Sequence, residues 1–533
     1  MTRTSVAPAS CSGRAASSEQ PGLLRSLGIA GWGALEPAIL AALATESPIL
    51  LIGPHGTAKT LLLQRLAEAL GLAFRHYNAS ILSFDDLLGY PVPQDGRLVY
   101  LQTPATVWEA EAVLFDEVSR CRPELQNKLF PLIHERVAQG LPLTRLRHRW
   151  AAMNPPPGDH SAAADGVSYD GAEPLDVALA DRFSFVLEVP VLGQLSDDER
   201  RTVLLGGARP EPDAPDRLRG AVERCRARLV ESEGRLRGRA AEYVDVLAAK
   251  LGAAGHPLST RRAVTLVRNV ESLRAAQQAL GEREDGSQRL RRTDGRETDA
   301  DLEDAFYAAT RFSLPDAAWG RPVEGHVLLA AHRAAWEAAR LAADSPHRAL
   351  LVETNPLRRI ALALQLDLPP GEAGAVIADG FSALSRPVRL VTSAVLFPRL
   401  AERNDLPAST LEAVAEAYAA VVRSGRETVT LRQGGRDWKR ELLGTRLAKL
   451  DPTSPRDRAL QNTAAILMAD DERFDLDALA AAWDEASAVL SPPSSRGAAA
   501  PALSSRGAAN VTGDEGSAGR RIPRDPAKRS PSE

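Results

Sequence analysis

At roughly 100 to 200 residues per domain, the 533 residues suffice for two to four domains and are too many for one compact module. Apolar residues make up 44%, enough to bury a sizeable core. With 65 basic against 69 acidic residues, the net charge of -4 lacks the cationic excess that advertises a nucleic-acid or anionic-membrane partner. Only Lys59, Lys128, Lys250, Lys439, Lys449 and Lys528 are lysines among those basic residues, a bias that fits a GC-rich bacterial genome and makes each lysine worth locating.

In chain order, residues 1–22 are small and polar and predict a disordered N-terminus. They hold no apolar core of the kind a secretory leader needs, and no run of about 18 apolar residues occurs anywhere, so a soluble cytoplasmic chain is expected. Cys11, Cys121 and Cys225 are odd in number and widely spaced, which fits a reducing compartment rather than a disulfide framework. Between 48 and 190, short apolar runs alternate with helical patterns: PILLIG (48–53), LAFRHYN (72–78), AVLFDE (112–117), RWAAMN (149–154) and FSFVLEV (183–189). Runs of this kind are strands buried on both faces, so the spacing predicts an α/β core over 23–193 with a parallel sheet between two helical layers. A helical lid is expected over 194–318, interrupted by the charged stretch 282–301, which reads as a solvated insertion. Residues 319–490 read as a mostly helical C-terminal domain, with RPVRLV (386–391) and ETVTLR (427–432) as its strand candidates. Trp438 in that domain reads as the cover of a helix pair, and Lys439 and Lys449 as parts of a solvated face. Residues 491–533, with the repeat SSRGAA, predict a flexible tail.

The stretch LLIGPHGTAKTLLLQRLAEAL (50–70) carries the chemistry. An apolar strand enters a turn spanning Gly53, Pro54, His55, Gly56, Thr57 and Ala58, and Lys59 and Thr60 then open a helix with Leu62, Leu63, Leu66 and Leu70 on one face. Glycines let the backbone wrap an anion, amide groups and the helix end point at phosphate oxygens, and a compact ammonium offsets β/γ charge better than a guanidinium would. Thr60 can offer its hydroxyl to Mg2+. The common pattern has Gly where this chain has Ala58. Downstream, AVLFDEVSR ends a strand in Asp116, placed to hold magnesium, and Glu117, placed to polarise the attacking water. Together the two motifs, in this order, point to a nucleotide hydrolase. Asn154 ends the next strand, where its amide either orients that water or serves as a buried structural group. Arg182 follows Asp181 in LDVALADRFSF, and Arg261 and Arg262 open a lid helix from which either can approach the phosphates.

These residues resemble the MoxR branch of the AAA+ ATPases, and within it RavA-like proteins. The resemblance rests on GPHGTAKT, where Ala before Lys is usual although His55 replaces a frequent Pro, on SFDDLLGYPV, LFDEVSR, AAMNPP and LADRF. It covers about residues 25–315. It implies a P-loop AAA+ fold with a helical lid and ATP and Mg2+ as ligands. Gly53, Gly56, Lys59 and Thr60 take the Walker A positions, Asp116 and Glu117 Walker B, and Asn154 sensor 1. Arg182 takes the arginine finger that enters a neighbour's site, and Arg261 sensor 2, with Arg262 its competitor. Residues 81–107 resemble the insert that faces the pore of a ring. The resemblance further implies a homo-hexamer that remodels, assembles or activates a protein client, including by metal insertion, beside a separate protein bearing a von Willebrand factor A domain. Two other readings stand beside it: a motor ATPase or GTPase subunit of a nucleic-acid-directed defence or restriction system, and a nucleotide-gated assembly scaffold. No membrane partner is expected, and the near-neutral charge disfavours nucleic acid. ATP and GTP are not distinguished by these residues.

Overall fold

The computed structural model describes residues 22–157, 172–282, 298–403, 405–424, 446–470 and 472–490. The expected disordered ends, Cys11, most of the charged insertion, the strand candidate 427–432, Trp438, Lys439 and Lys528 lie outside these residues.

Helices α1 (Leu23–Ser26) and α2 (Glu36–Thr45) precede β1 (Ile49–Ile52) and α3 (Lys59–Leu70). Then come β2 (Phe74–Asn78), α4 (Phe84–Leu88), a hairpin of β3 (Tyr90–Gln94) and β4 (Arg97–Leu101), β5 (Ala112–Asp116) and α5 (Pro123–Glu135). A small ribbon, β6 (Val137–Ala138) with β7 (Leu141–Pro142), leads to β8 (His148–Met153), α6 (Val177–Ala180) and β9 (Phe185–Glu188). The main sheet runs β2-β5-β8-β1-β9, and all its pairings are parallel. Alternation along each strand explains the continuous apolar runs. Ile49, Leu51, Leu114, Trp150, Phe185 and Leu187 enter one core with α2 and α3, whereas Leu50, Ile52, Val113, Phe115, Met153 and Val186 enter a second with Leu125, Leu129 and Leu132 of α5. Both faces are therefore covered, as expected for the α/β core.

The first core continues without a break into α8 (Ala214–Glu231), α9 (Arg237–Ala253), α10 (Thr260–Gly281) and α11 (Asp299–Arg311), which follow the short helix α7 (Asp197–Leu204). The charged insertion is shorter than expected, because Thr298 caps α11 and accepts from the Asp301 amide. The division placed at 318/319 does not match the packing. Helix α12 (Gly325–Arg340) puts Leu328, Ala331, Ala335 and Trp336 into the lid's own core, and Tyr243 Oη lies 2.7 Å from Thr310 Oγ1 and 2.8 Å from His332 Nδ1. The break falls after α12 instead. From there α13 (Pro346–Val352), α14 (Pro356–Gln365), α15 (Pro370–Ala383), α16 (Arg386–Leu400), α17 (Ala408–Ser424), α18 (Pro455–Ala469) and α19 (Leu476–Leu490) build two further cores.

RPVRLV, read as a strand, is the start of α16. Pro387 sits in the first turn, where no amide donor is needed, and Leu390, Val391, Leu396 and Leu400 form a buried face that a six-residue window cannot reveal. Lys449 is exposed, as expected. Burial pulls the Lys250 ammonium pKa down to about 8, and its Nζ donates to the Glu353 carbonyl at 3.0 Å, tying α9 to the loop after α13. Among the described residues, no helix is long and apolar enough to cross a membrane.

Candidate nucleotide-hydrolysis site

The phosphate turn leaves the C-terminal end of β1 in the middle of the sheet, where parallel α/β sheets place their ligands. Gly53 donates to the Met153 carbonyl at 3.1 Å, and a Cβ on it would lie 2.1 Å from Val189 Cγ2, so no larger residue fits there. Gly56 has φ +76 and needs the left-handed freedom of glycine. Ala58 has φ 66 and caps α3 in the same left-handed region. The common Gly at this position thus has a conformational reason, and the Ala stores strain.

Left-handed backbone costs a non-glycine residue about 1–2 kcal/mol, while glycine loses about 0.4–1 kcal/mol through the unfolded chain. Ala58→Gly is therefore expected to stabilise the fold by about 0.5 kcal/mol, read as a raised denaturant midpoint, and Ala58→Val to weaken nucleotide binding. A lowered midpoint for the Gly variant would contradict the strain.

Behind the turn lies a cleft of about 310 Å³ lined by His55 to Leu61, Asp116, Glu117, Met153 and Asn154. Lys59 is 8% exposed, and its ammonium donates to the carbonyls of Gly53 at 2.6 Å and Pro54 at 2.7 Å, with Asn154 Oδ1 at 3.4 Å. Burial lowers its pKa against the opposing pull of the Asp116 and Glu117 charges. Thr60 Oγ1 donates to Asp116 Oδ2 at 2.7 Å, which joins the first turn of α3 to the end of β5 across the intervening strand β8. Burial alone would raise the Asp116 pKa, yet hydrogen bonds from His76, Thr60 and the Glu117 amide outweigh it and hold the carboxylate below its usual range. A hydroxyl and an ionised carboxylate in contact at the mouth of a phosphate turn are the oxygen pair that Mg2+ would take, so the residues fit that ion.

Glu117 stands in the left-handed region at φ 57, a strained backbone that turns the side chain away from the strand. Its Oε2 is 3.3 Å from Arg120 Nε. Sequence reading missed Arg120, although the i,i+3 spacing was a signal. It also missed His76, whose Nε2 is 3.3 Å from Asp116 Oδ2. That contact follows from β2 pairing with β5 in parallel register, which nothing local to His76 reveals.

The cleft is not lined by Arg182, Arg261 or Arg262. Arg182 Nη1 donates to the Ala178 carbonyl at 2.6 Å, and its guanidinium lies 4.5 Å over the Phe130 ring. Arg261 Nη1 is 3.6 Å from Asp181 Oδ2. Burial, and then the charge of Arg261, lower the Arg182 pKa, and burial followed by the charges of both arginines depresses that of His134, so the two guanidiniums share one neighbourhood. Arg262 is different. It is 1% exposed and donates to Asp181 Oδ1 at 3.2 Å and to the carbonyls of Phe183, Ser313 and Ala180 at 2.8, 2.7 and 3.2 Å. With its donors committed, it clasps the lid to the core. Removing one partner of a buried pair leaves the other uncompensated, so Arg262→Ala is expected to cost about 3–5 kcal/mol, measured by denaturant unfolding. A cost under about 1 kcal/mol, that of an ordinary surface pair, would refute the clasp.

The parallel sheet, the turn and the paired acidic residues define a P-loop nucleotide hydrolase. Residues 48–183 match the sequence profile of the family described as AAA domain (dynein-related subfamily), so this segment is an AAA domain and the chain is an ATP hydrolase. Among solved structures, the chain is similar to that of a presumed ATPase from Cytophaga hutchinsonii, at 22% identity over 48% of this chain and 78% of that one, with a TM-score of 0.35. No curated protein sequence matches it.

Proposed function

We propose that the protein is a ring-forming ATPase of the MoxR type, RavA-like, which assembles as a homo-hexamer and uses ATP hydrolysis to remodel or activate a protein client. One observation supports the ring: among the described residues, the cleft is lined by the turn, Lys59, Thr60, Asp116, Glu117 and Asn154 and by no arginine, while Arg182 and Arg261 stand together outside it. A neighbouring subunit is the source of cationic charge that this arrangement calls for. Mg2+ bound with ATP would neutralise charge on the β- and γ-phosphates. Lys59 would exchange the carbonyls of Gly53 and Pro54 for phosphate oxygens, Thr60 and Asp116 would hold the ion, and Asn154 would orient the attacking water. Glu117 takes a proton from that water. Arg182 and Arg261 act from the adjacent subunit, as finger and second sensor.

Client contact is supported by the insert at 81–107, where Tyr90, Val99 and Leu101 of the β3–β4 hairpin are 52%, 42% and 56% exposed. A separate protein with a von Willebrand factor A domain belongs to the same proposal. Sedimentation and ATPase activity measured together across protein concentration test it. Specific activity is expected to rise with the oligomer fraction, and full activity in a monomer would sink the reading.

A further inference from the structure

We infer that the pocket between the base of the sheet and the lid helix α8 (Ala214–Glu231) is a second binding site, for a small organic oxyanion: a carboxylate or phosphate on an apolar body about the size of a benzene ring. The pocket holds about 160 Å³, and a cavity of about 150 Å³ admits benzene. Leu43 of α2, Leu70 of α3, Leu72 and Val222 of α8 give it apolar walls. Arg147, Arg219 and Arg226 line it as well, against a single acidic residue, Glu223. Apolar walls with a few convergent polar groups are the usual make-up of a small-molecule site. Here the polar groups are mostly guanidiniums, whose planar forks match the oxygens of carboxylate and phosphate.

The carboxylates nearby leave many of these donors free. Glu46 is shared among three arginines, with Arg147 Nε at 2.9 Å, Arg136 Nη2 at 3.2 Å and Arg226 Nη2 at 3.6 Å. Arg226 Nε donates to the Ala44 carbonyl at 3.1 Å, and Arg219 Nη2 lies 3.1 Å from Asp216 Oδ1. Glu111 is engaged by the Ala73 amide at 3.0 Å. Among the described residues, the Nη groups of Arg147 and Arg226 donate no hydrogen bond. His148 adds a second, independent sign. It lines the same pocket, is 2% exposed, and its Nδ1 has no hydrogen-bond partner among the described residues, a condition that buried polar groups rarely tolerate. Burial, opposed by the charge of Glu46 and helped by those of Arg147, Arg149 and Arg226, brings its imidazole pKa down to about 3, so the ring is neutral. Guanidinium donors without acceptors at one apolar pocket call for a ligand that brings negatively charged oxygens.

The pocket is separate from the nucleotide cleft. His148 opens β8, whose other end leads to Asn154, and Leu70 closes α3, which Lys59 opens about 18 Å away. A ligand here touches core and lid at once, and the inference does not depend on the ring.

The test titrates benzoate and phenyl phosphate, with benzyl alcohol as the uncharged control, into protein saturated with ADP and Mg2+ so that the phosphate turn is already occupied. At least one of the two anions is expected to bind with a Kd below about 1 mM, and the one that binds identifies the head group. Benzyl alcohol is expected not to bind. Arg219→Gln and Arg226→Gln remove charge at side chains that are not buried, and either is expected to weaken anion binding at least about tenfold with nucleotide affinity unchanged. Binding of neither anion, equal binding of benzyl alcohol, or an affinity that neither variant changes would overturn the site. If a variant also loses nucleotide affinity, 4-bromobenzoate in wild-type crystals decides instead: bromine between α3 and α8 supports the site, and bromine elsewhere or nowhere overturns it.

Discussion

Arg182→Ala is expected to reduce ATP turnover by about 10³- to 10⁵-fold while nucleotide affinity stays close to that of wild type. The magnitude is that of an arginine delivered to the developing γ-phosphate charge, and the split between turnover and binding follows from geometry. Arg182 is held by the Ala178 carbonyl and the Phe130 ring, outside the cleft of its own chain, so it cannot contribute to how that cleft grips ATP. Steady-state turnover and titration with a fluorescent nucleotide separate the two quantities. Mixing the Arg182→Ala chain with a chain lacking the base should restore activity, because some interfaces then pair an intact cleft with an intact arginine. Loss of nucleotide binding, or no recovery on mixing, would show that Arg182 works in its own subunit or not at all.

Glu117→Gln supplies that second chain and should itself lower turnover by about 10²- to 10⁴-fold, the usual worth of a positioned general base. Gln keeps the length and shape of the side chain, and the left-handed backbone at Glu117 is no harder for Gln to adopt. Asp116, with its bonds to Thr60 and His76, is untouched. Binding should therefore survive, and the variant should accumulate in the ATP state. Turnover within about tenfold of wild type would mean that another group takes the proton.

The parts of the site legible from sequence are those whose geometry is local. The turn from Gly53 to Thr60 is fixed by a strand, two glycines and a helix start, all within a dozen residues, and the Asp116–Glu117 pair marks its own strand end. Even Ala58 was legible as a departure, although its left-handed backbone, which explains the departure, was not. What escaped depends on pairings far apart in the chain. His76 meets Asp116 only because β2 lies beside β5, and the burial of Arg262 rests on acceptors at Asp181 and Ser313 that no spacing rule reaches. RPVRLV failed for the opposite reason: six residues of mixed apolar and basic character suit a strand or a helix start equally, and the deciding face of α16 extends to Leu400.

The packing of α12 has a mechanical consequence. Because Trp336 and His332 are embedded in the lid's own core, and Lys250 of α9 grips the Glu353 carbonyl, the seven C-terminal helices among the described residues are tied to the lid. The buried Arg262 is then the fulcrum, the point where the lid is pinned to the sheet beside β9. A small rotation about it would be multiplied along the length of α12 into a larger sweep of the C-terminal helices. A chain cut at residue 318 would lose more than an appendage: it would open the socket of Trp336 to water and leave the lever without its arm.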